Sequence, residues 1–292
     1  MLRPSALVMR GALGYVGCVM CPSVFIPNER TAPFAPSARR FPPNGRLTPF
    51  VSSIIVAEGG PEMTRTLLPL SGIVLGIGYR GSATQVEETS ERLLPNVLIQ
   101  GMGSIARRIR GSANGGSVLV TFTEVGAAQF FKEPLHELFN SIQALDDLVP
   151  RAEVERLSSR LSEAVTLEER ALLVERFLSA RLSAKEPDPI VAAAVRALRV
   201  ANGSPRIGEL ARSLHISQDA LEKRFRRIVG TTPKHFASIL RLRQVIDAYR
   251  PGARLSHLAL DAGYFDQSHF HREFRDVTGA APKRFLESED YF

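Results

Sequence analysis

Tryptophan is absent, and cysteine is confined to Cys18 and Cys21. Two cysteines are too few for a disulfide framework in 292 residues, which fits a reducing compartment. No run of eighteen apolar residues is free of charge, so no segment is expected to cross a bilayer as a helix. Acid is in deficit: 30 Asp and Glu stand against 37 Lys and Arg, a net charge of +7 with a pI near 9.8. That balance points towards polyanions, and the distribution of the cations matters more than their number. Hydrophobic residues at 44% and charged ones at 23% are in globular proportion, which excludes a disordered or fibrous chain. The length suits two domains.

Residues 1–38 carry Pro4, Pro22, Pro27, Pro33 and Pro36 among scattered arginines and show no period. They are expected to be an irregular leader, or to lie upstream of a true start at Met9, Met20 or nearby. Arg3 and Arg10 before Gly11–Met20 make a poor secretion signal, because glycine interrupts the apolar run and no small-residue cleavage site follows. From Phe41 to Phe131 come short apolar runs punctuated by turn residues: 50–56, 72–79, 95–100 and 117–122. These predict strands of a β-sandwich or barrel. From Pro134 to Leu182 the period becomes helical, with Leu135, Leu138, Phe139, Ile142 and Leu145, then Val154, Leu157, Leu161 and Val165, then Leu172, Leu173, Phe177 and Leu178. Two or three amphipathic helices are expected there. The stretch 185–189, with two prolines and two acids, reads as a linker, and everything after it as helical. The predicted fold class is therefore α+β. A leader over 1–38 precedes a β-rich, sandwich- or barrel-like sensory or dimerisation domain over 39–184, with helices flanking its C-terminal end; an all-α domain follows over 185–292.

The all-α part contains an internal repeat. Ile207, Leu210 and Ala211 recur as Leu255, Leu258 and Ala259, an offset of 48, after which the offset steps to 49. Phe225, Arg226, Gly230, Pro233, Lys234 and Phe236 recur as Phe274, Arg275, Gly279, Pro282, Lys283 and Phe285. The extra residue falls between the two helices of the second unit, where insertions belong. Each unit reads as a helix-turn-helix. Ser217 caps the second helix of the first unit, Leu221, Phe225 and Ile228 form its buried stripe, and Gly230 ends it. Gln218, Asp219, Glu222, Lys223, Arg226 and Arg227 are left for its outer face. In the second unit Asp266 is the cap, Phe270, Phe274 and Val277 the stripe, and Gln267, Ser268, His271, Arg272 and Arg275 the outer face. A helix from Thr232 and Pro233 to Tyr249 joins the units, spanning roughly 27 Å. That rod suits two recognition helices about one turn of B-DNA apart, near 34 Å.

Gly263-Tyr264, then Asp266-Gln267-Ser268-His269-Phe270 with Arg272, Phe274, Gly279 and Pro282, resemble the diagnostic tail of AraC/XylS-type transcriptional regulators. The resemblance extends from about Pro189 to Glu287 and includes Arg241-Leu242-Arg243 of the joining helix; the region from Phe41 to Leu182 is more weakly similar to the family's N-terminal sensory domains. It implies double-stranded DNA and RNA polymerase as partners, with a small-molecule effector and a second copy of the chain as candidates for the N-terminal domain. Cytoplasmic location, no membrane, no cofactor and no enzyme activity are expected. The family's base-contacting positions fall on Asp219, Glu222 and Lys223 and on Gln267, Ser268, His271 and Arg272. Acids at two of the first three positions depart from the pattern and would repel phosphates, so this unit is expected either to read few bases or, with Glu222 accepting from a cytosine amino group, to favour C·G pairs, whereas Arg272 can pair bidentately with guanine. Arg226, Arg227, Lys234, Arg241, Arg243, Arg275 and Lys283 are expected on phosphates.

Other patterns point elsewhere. Gly76, Gly78 and Gly81 spell a dinucleotide-binding turn, but polar, acidic residues follow where an apolar-faced helix is needed, so turns and bulges are expected. Cys18 and Cys21 lack further zinc ligands nearby. His269 and His271 diverge by about 200° on a helix and cannot share an ion, so no metal site is expected. No strained nucleophile turn is present. The rival readings are a nucleotide- or metabolite-binding enzyme with a helical interaction module, and an architectural DNA binder without sequence preference.

Overall fold

The fold is described from a computed structural model over residues 37–288. Cys18, Cys21 and all but the last two residues of the expected leader lie outside that range; 37–38 already belong to a strand. The chain runs β1 (Ser37–Phe41), β2 (Val51–Glu58), β3 (Met63–Leu67), β4 (Val74–Arg80), β5 (Ala83–Val86), β6 (Glu91–Leu93), β7 (Val97–Gln100), β8 (Arg107–Gly111), β9 (Gly116–Phe122) and β10 (Ile142–Ala144). The helices are α1 (Arg151–Glu163), α2 (Leu167–Arg181), α3 (Pro189–Val200), α4 (Ile207–Ser213), α5 (Gln218–Val229), α6 (Pro233–Ala248), α7 (Leu255–Asp261), α8 (Gln267–Thr278) and α9 (Pro282–Leu286).

The strands form two antiparallel sheets, one of six strands in the order β1-β2-β9-β4-β7-β10 and one of four in the order β3-β8-β5-β6. The four apolar runs legible in the sequence become β2, β4, β7 and β9, the middle of the larger sheet. Period-2 alternation decides what each face does. Val118, Val120 and Phe122 of β9 are buried, and their partners Ile54 and Val56 on β2 and Leu75 and Ile77 on β4 share that face. α1 and α2 cover it with Val154, Leu157, Leu161, Val174 and Leu178, whereas Val165, in the turn between the two helices, and Leu172, on the outer side of α2, are exposed and do not join the expected stripes. The opposite face, with Ile55, Leu98 and Leu119, looks towards Leu67 and Ile109 of the smaller sheet. The two sheets do not close on each other there. An apolar cavity of about 270 Å³ remains between them.

Gly76 and Gly78 line that cavity from within β4, and Gly81, at φ +76°, makes the tight turn into β5. A strand follows where a dinucleotide site requires a helix, so the glycines shape a sheet and a turn. The helical periodicity over 135–145 does not produce a helix. Leu135–Leu138 and Leu145–Asp147 are single 3-10 turns on either side of β10, and Ile142 pairs with Gln100 across the sheet edge. Asn140 at φ +58° breaks the run, and Pro150, which has no amide hydrogen, stands at the start of α1. The apolar side chains are buried all the same, as Leu135, Leu138, Ile142 and Leu145 are.

In the C-terminal region each local signal acts as the residues dictate. Asp188 accepts from the amides of Ile190 and Val191, with Pro189 at the first helical position. Gly230 and Gly279 end α5 and α8 in the left-handed region, at φ +95° and +74°, which L residues reach only at a cost. Thr232 caps α6 by accepting from the His235 amide at 3.1 Å, and the sixteen residues of α6 give a rod of about 24 Å.

Candidate nucleic-acid interface

The second helix of each unit is fixed by a cap at its start and an aromatic stripe beneath it. Ser217 Oγ accepts from the Ala220 amide at 3.2 Å, and Asp266 Oδ1 from the His269 amide at 2.7 Å. Leu221, Phe225 and Val229 bury α5, with Phe225 packed 5.6 Å from Phe236 of α6; Ile228 is only partly buried. Phe270 and Phe274 bury α8 and stack edge-to-face in a series with Phe285 of α9. Removing Phe225 or Phe274 would leave a cavity costing about 3–5 kcal/mol.

With the stripes buried, the other face of each helix is open. Gln218, Asp219 and Lys223 are exposed on α5, and Gln267, Ser268 and Arg272 on α8; Glu222 and His271 are half-buried. Gln218 Nε2 donates to Glu222 Oε1 at 2.9 Å, and Gln267 Nε2 lies 3.4 Å from His271 Nε2, so the outer face of each helix carries a tethered pair. His269 turns away from His271, towards Tyr264 and Glu273. Among the described residues no group of three His, Cys, Asp or Glu could hold a metal ion.

The cations expected on phosphates fall into two sets. Arg226, Arg227, Lys234, Arg275 and Lys283 are exposed, Lys283 facing Glu287 one turn on at 3.9 Å. Arg241 and Arg243 are engaged by the protein instead. Arg241 donates to the Gly203 carbonyl at 2.9 Å and lies over the Tyr264 ring. Arg243 Nε donates to the Pro69 carbonyl at 3.0 Å, and burial lowers its pKa to about 10, so it is still charged at neutral pH. An arginine on α6 faces protein or solvent according to which side of the rod it occupies, and here both sides of 241–243 are covered.

Several residues that organise this surface give no sign in the sequence. Glu273 of α8, largely buried, accepts from Ser238 Oγ of α6 at 2.6 Å and from Tyr264 Oη at 3.0 Å, with His269 Nε2 at 3.5 Å and Arg241 at 4.0 Å. Burial and then the Glu273 charge raise the Tyr264 phenol, so it stays a hydrogen-bond donor. The one local signal that could have found the pair is the spacing of His269 and Glu273, four apart on a helix.

The β domain grips both units. Met102, Val125 and Phe139 join the core of the first, and Leu68 and Ala106 that of the second. Arg199 of α3 pairs with Glu124 and donates to Ser71 Oγ at 3.2 Å, His235 Nε2 lies 3.3 Å from the Gly103 carbonyl, and the Ala106 amide donates to the Val277 carbonyl at 2.7 Å. Lys223 and Arg272 stay exposed beside these contacts. Most of the chain's excess positive charge lies in residues 189–292.

Two helix pairs on one rod, each with a capped second helix whose polar face is open, define a tandem helix-turn-helix protein of the DNA-binding class. Residues 210–288 match the protein family described as a helix-turn-helix domain. The match supports the helix-turn-helix reading of the C-terminal region, and with it a DNA-binding transcriptional regulator. The match does not reach the β domain. Among solved structures, ToxT from Vibrio cholerae aligns at 13% identity and a TM-score of 0.43, over 80% of this chain and 97% of its own. Unsaturated fatty acid-bound ToxT from the same organism aligns at 14% and 0.41, over 80% and 94%. The AraC-like transcriptional activator CuxR aligns at 16% and 0.30, over 74% and 82%. A search of curated proteins finds no match. Among the described residues no helix is long and apolar enough to cross a membrane.

Proposed function

We propose that the chain regulates transcription by laying α5 and α8 into successive major-groove segments of one DNA duplex, with a small apolar effector received between the sheets of its β domain. The observation that carries the first half is the duplicated unit: two capped helices with open polar faces on a single rod, in a region holding most of the net positive charge. Asp219, Glu222, Lys223, Gln267, Ser268, His271 and Arg272 read bases; Arg226, Arg227, Lys234, Arg275 and Lys283 hold phosphates. Arg241 and Arg243 brace the rod against its neighbours. No catalytic step is assigned. The chain works in the cytoplasm, and its bound form presents the complex to RNA polymerase.

Effector control is supported by the cavity and by what borders it. Leu67, Leu68 and Leu70 line the cavity, while Pro69 and Ser71 of the same segment hold Arg243 and Arg199 of the helical domain. A ligand that spread the sheets would press on this segment and so on α6. One chain carries both reading units, so a single copy suffices for two turns of groove; sedimentation of the DNA complex counts the copies.

The test is selection of bound duplexes from a random pool at about 150 mM salt, where purely electrostatic binding is weak. Recovery of a site with two blocks about one helical turn apart is expected. Retention of unrelated duplexes alone would overturn base reading and favour an architectural role.

A further inference from the structure

We propose that Phe265 is a base-contacting residue of the second unit, placing its ring against the 5-methyl group of a thymine where α8 enters the major groove. This rests on the DNA-reading function proposed above. The two units match in the structure as they do in the sequence. The Ile216 amide donates to the Ala211 carbonyl at 3.1 Å, and the Tyr264 amide to the Ala259 carbonyl at 3.0 Å, both at an offset of 48. The caps Ser217 and Asp266 are 49 apart. The residue inserted between these two landmarks is therefore Phe265, and the first unit has nothing in its place.

Packing gives Phe265 no role. Tyr264, two residues before the cap, is buried and sets its ring 5.2 Å from Phe270, so it makes the contact that the residue immediately before a cap, here Phe265, usually makes to fasten the helix entry. Phe265 is 91% exposed, more than any other large hydrophobic side chain among the described residues. One exposed apolar residue is ordinary, but this one stands immediately before the cap of a recognition helix, whose first residues are those that reach base edges. The thymine methyl is the one apolar group on the major-groove edge of a base pair, and phenylalanine is among the side chains that recognise it. The turn of the first unit passes straight from the partly buried Ile216 to Ser217, so methyl recognition should be confined to the half-site under α8.

The full-length parent and Phe265→Ala are titrated against the duplex the parent selects, then against versions in which each thymine in turn is replaced by deoxyuridine. That replacement removes the methyl group and leaves every hydrogen-bonding edge. The parent should lose about fourfold in affinity, the worth of one buried methyl group, at one or two thymines of a single half-site. Phe265→Ala should bind the unmodified duplex weaker by a similar factor and be indifferent to deoxyuridine at those positions. A variant that keeps the parent's methyl sensitivity overturns the proposal, as does a parent with none. A variant that melts earlier and loses affinity on all duplexes alike also overturns it, since Phe265 would then act through folding. Should the parent select no site, both this proposal and base reading fall; a selected site without methyl sensitivity removes this proposal alone.

Discussion

Arg272 and Lys234 are both exposed cations of the helical domain, yet they should respond differently to truncation. Arg272 stands on the open face of α8, where a guanidinium can meet two acceptors of one guanine. Arg272→Ala should cost about 1–3 kcal/mol on the selected duplex and relax preference at one base position, measured by competition among single-base variants. Lys234 sits at the start of the joining helix and carries a point charge. Lys234→Ala should weaken all sequences alike and reduce the slope of log affinity against log salt by about one, read from titrations at several ionic strengths. Equal losses on every duplex for Arg272→Ala would move that residue to the phosphate set.

At the scale of elements, the polar contact between α6 and α8 centres on one carboxylate, Glu273, beside the apolar core that Leu242 and Val245 share with Phe270 and Phe274. Glu273→Gln keeps the shape but removes the charge that faces Arg241 and His269 while still accepting from Ser238 and Tyr264. The variant should lose about 1–3 kcal/mol in urea unfolding, with faster amide exchange in α8 than in α5. Uniform exchange across both units would show that Glu273 does not hold α8 in particular. What the sequence disclosed follows the same division. β2, β4, β7 and β9 announce themselves because helices bury one face and the other meets the cavity, leaving their residues apolar. β3, β5, β6 and β8, reading MTRTL, ATQV, ERL and RRIRG, cover the far side of a partly hollow space, so their sequences stay polar. The caps, stripes and repeat of the helical domain are local and were legible; the engagement of Arg241 and Arg243 was not, because it is set by residues distant in the chain, Gly203 and Pro69.

For the whole molecule, the segment 67–71 is where the cavity and the helical domain meet. Arg243→Ala would remove the donor to the Pro69 carbonyl and empty a buried site beside α6. Faster hydrogen exchange in 67–71 and in α6 is expected, with the exchange of α1 and α2 unchanged. Unchanged exchange in 67–71 would show that this contact is not what secures the segment. Gly76→Leu would extend a side chain towards Leu98 and into the space between the sheets. The protein so filled should lose any small molecule that native mass spectrometry finds on the parent, while still binding its DNA site. Loss of DNA binding together with the ligand would instead mean that the sheets had been forced apart.

The grip of the β domain on both units also governs how the protein comes apart. Met102 is part of the first unit's core and Leu68 of the second's, each almost wholly buried there. Neither unit can separate from the sheets without stripping an anchor from its own interior. Calorimetry should therefore record a single heat-absorption peak for the full chain, where loosely tethered domains give two, and the ratio of van't Hoff to calorimetric enthalpy should approach one.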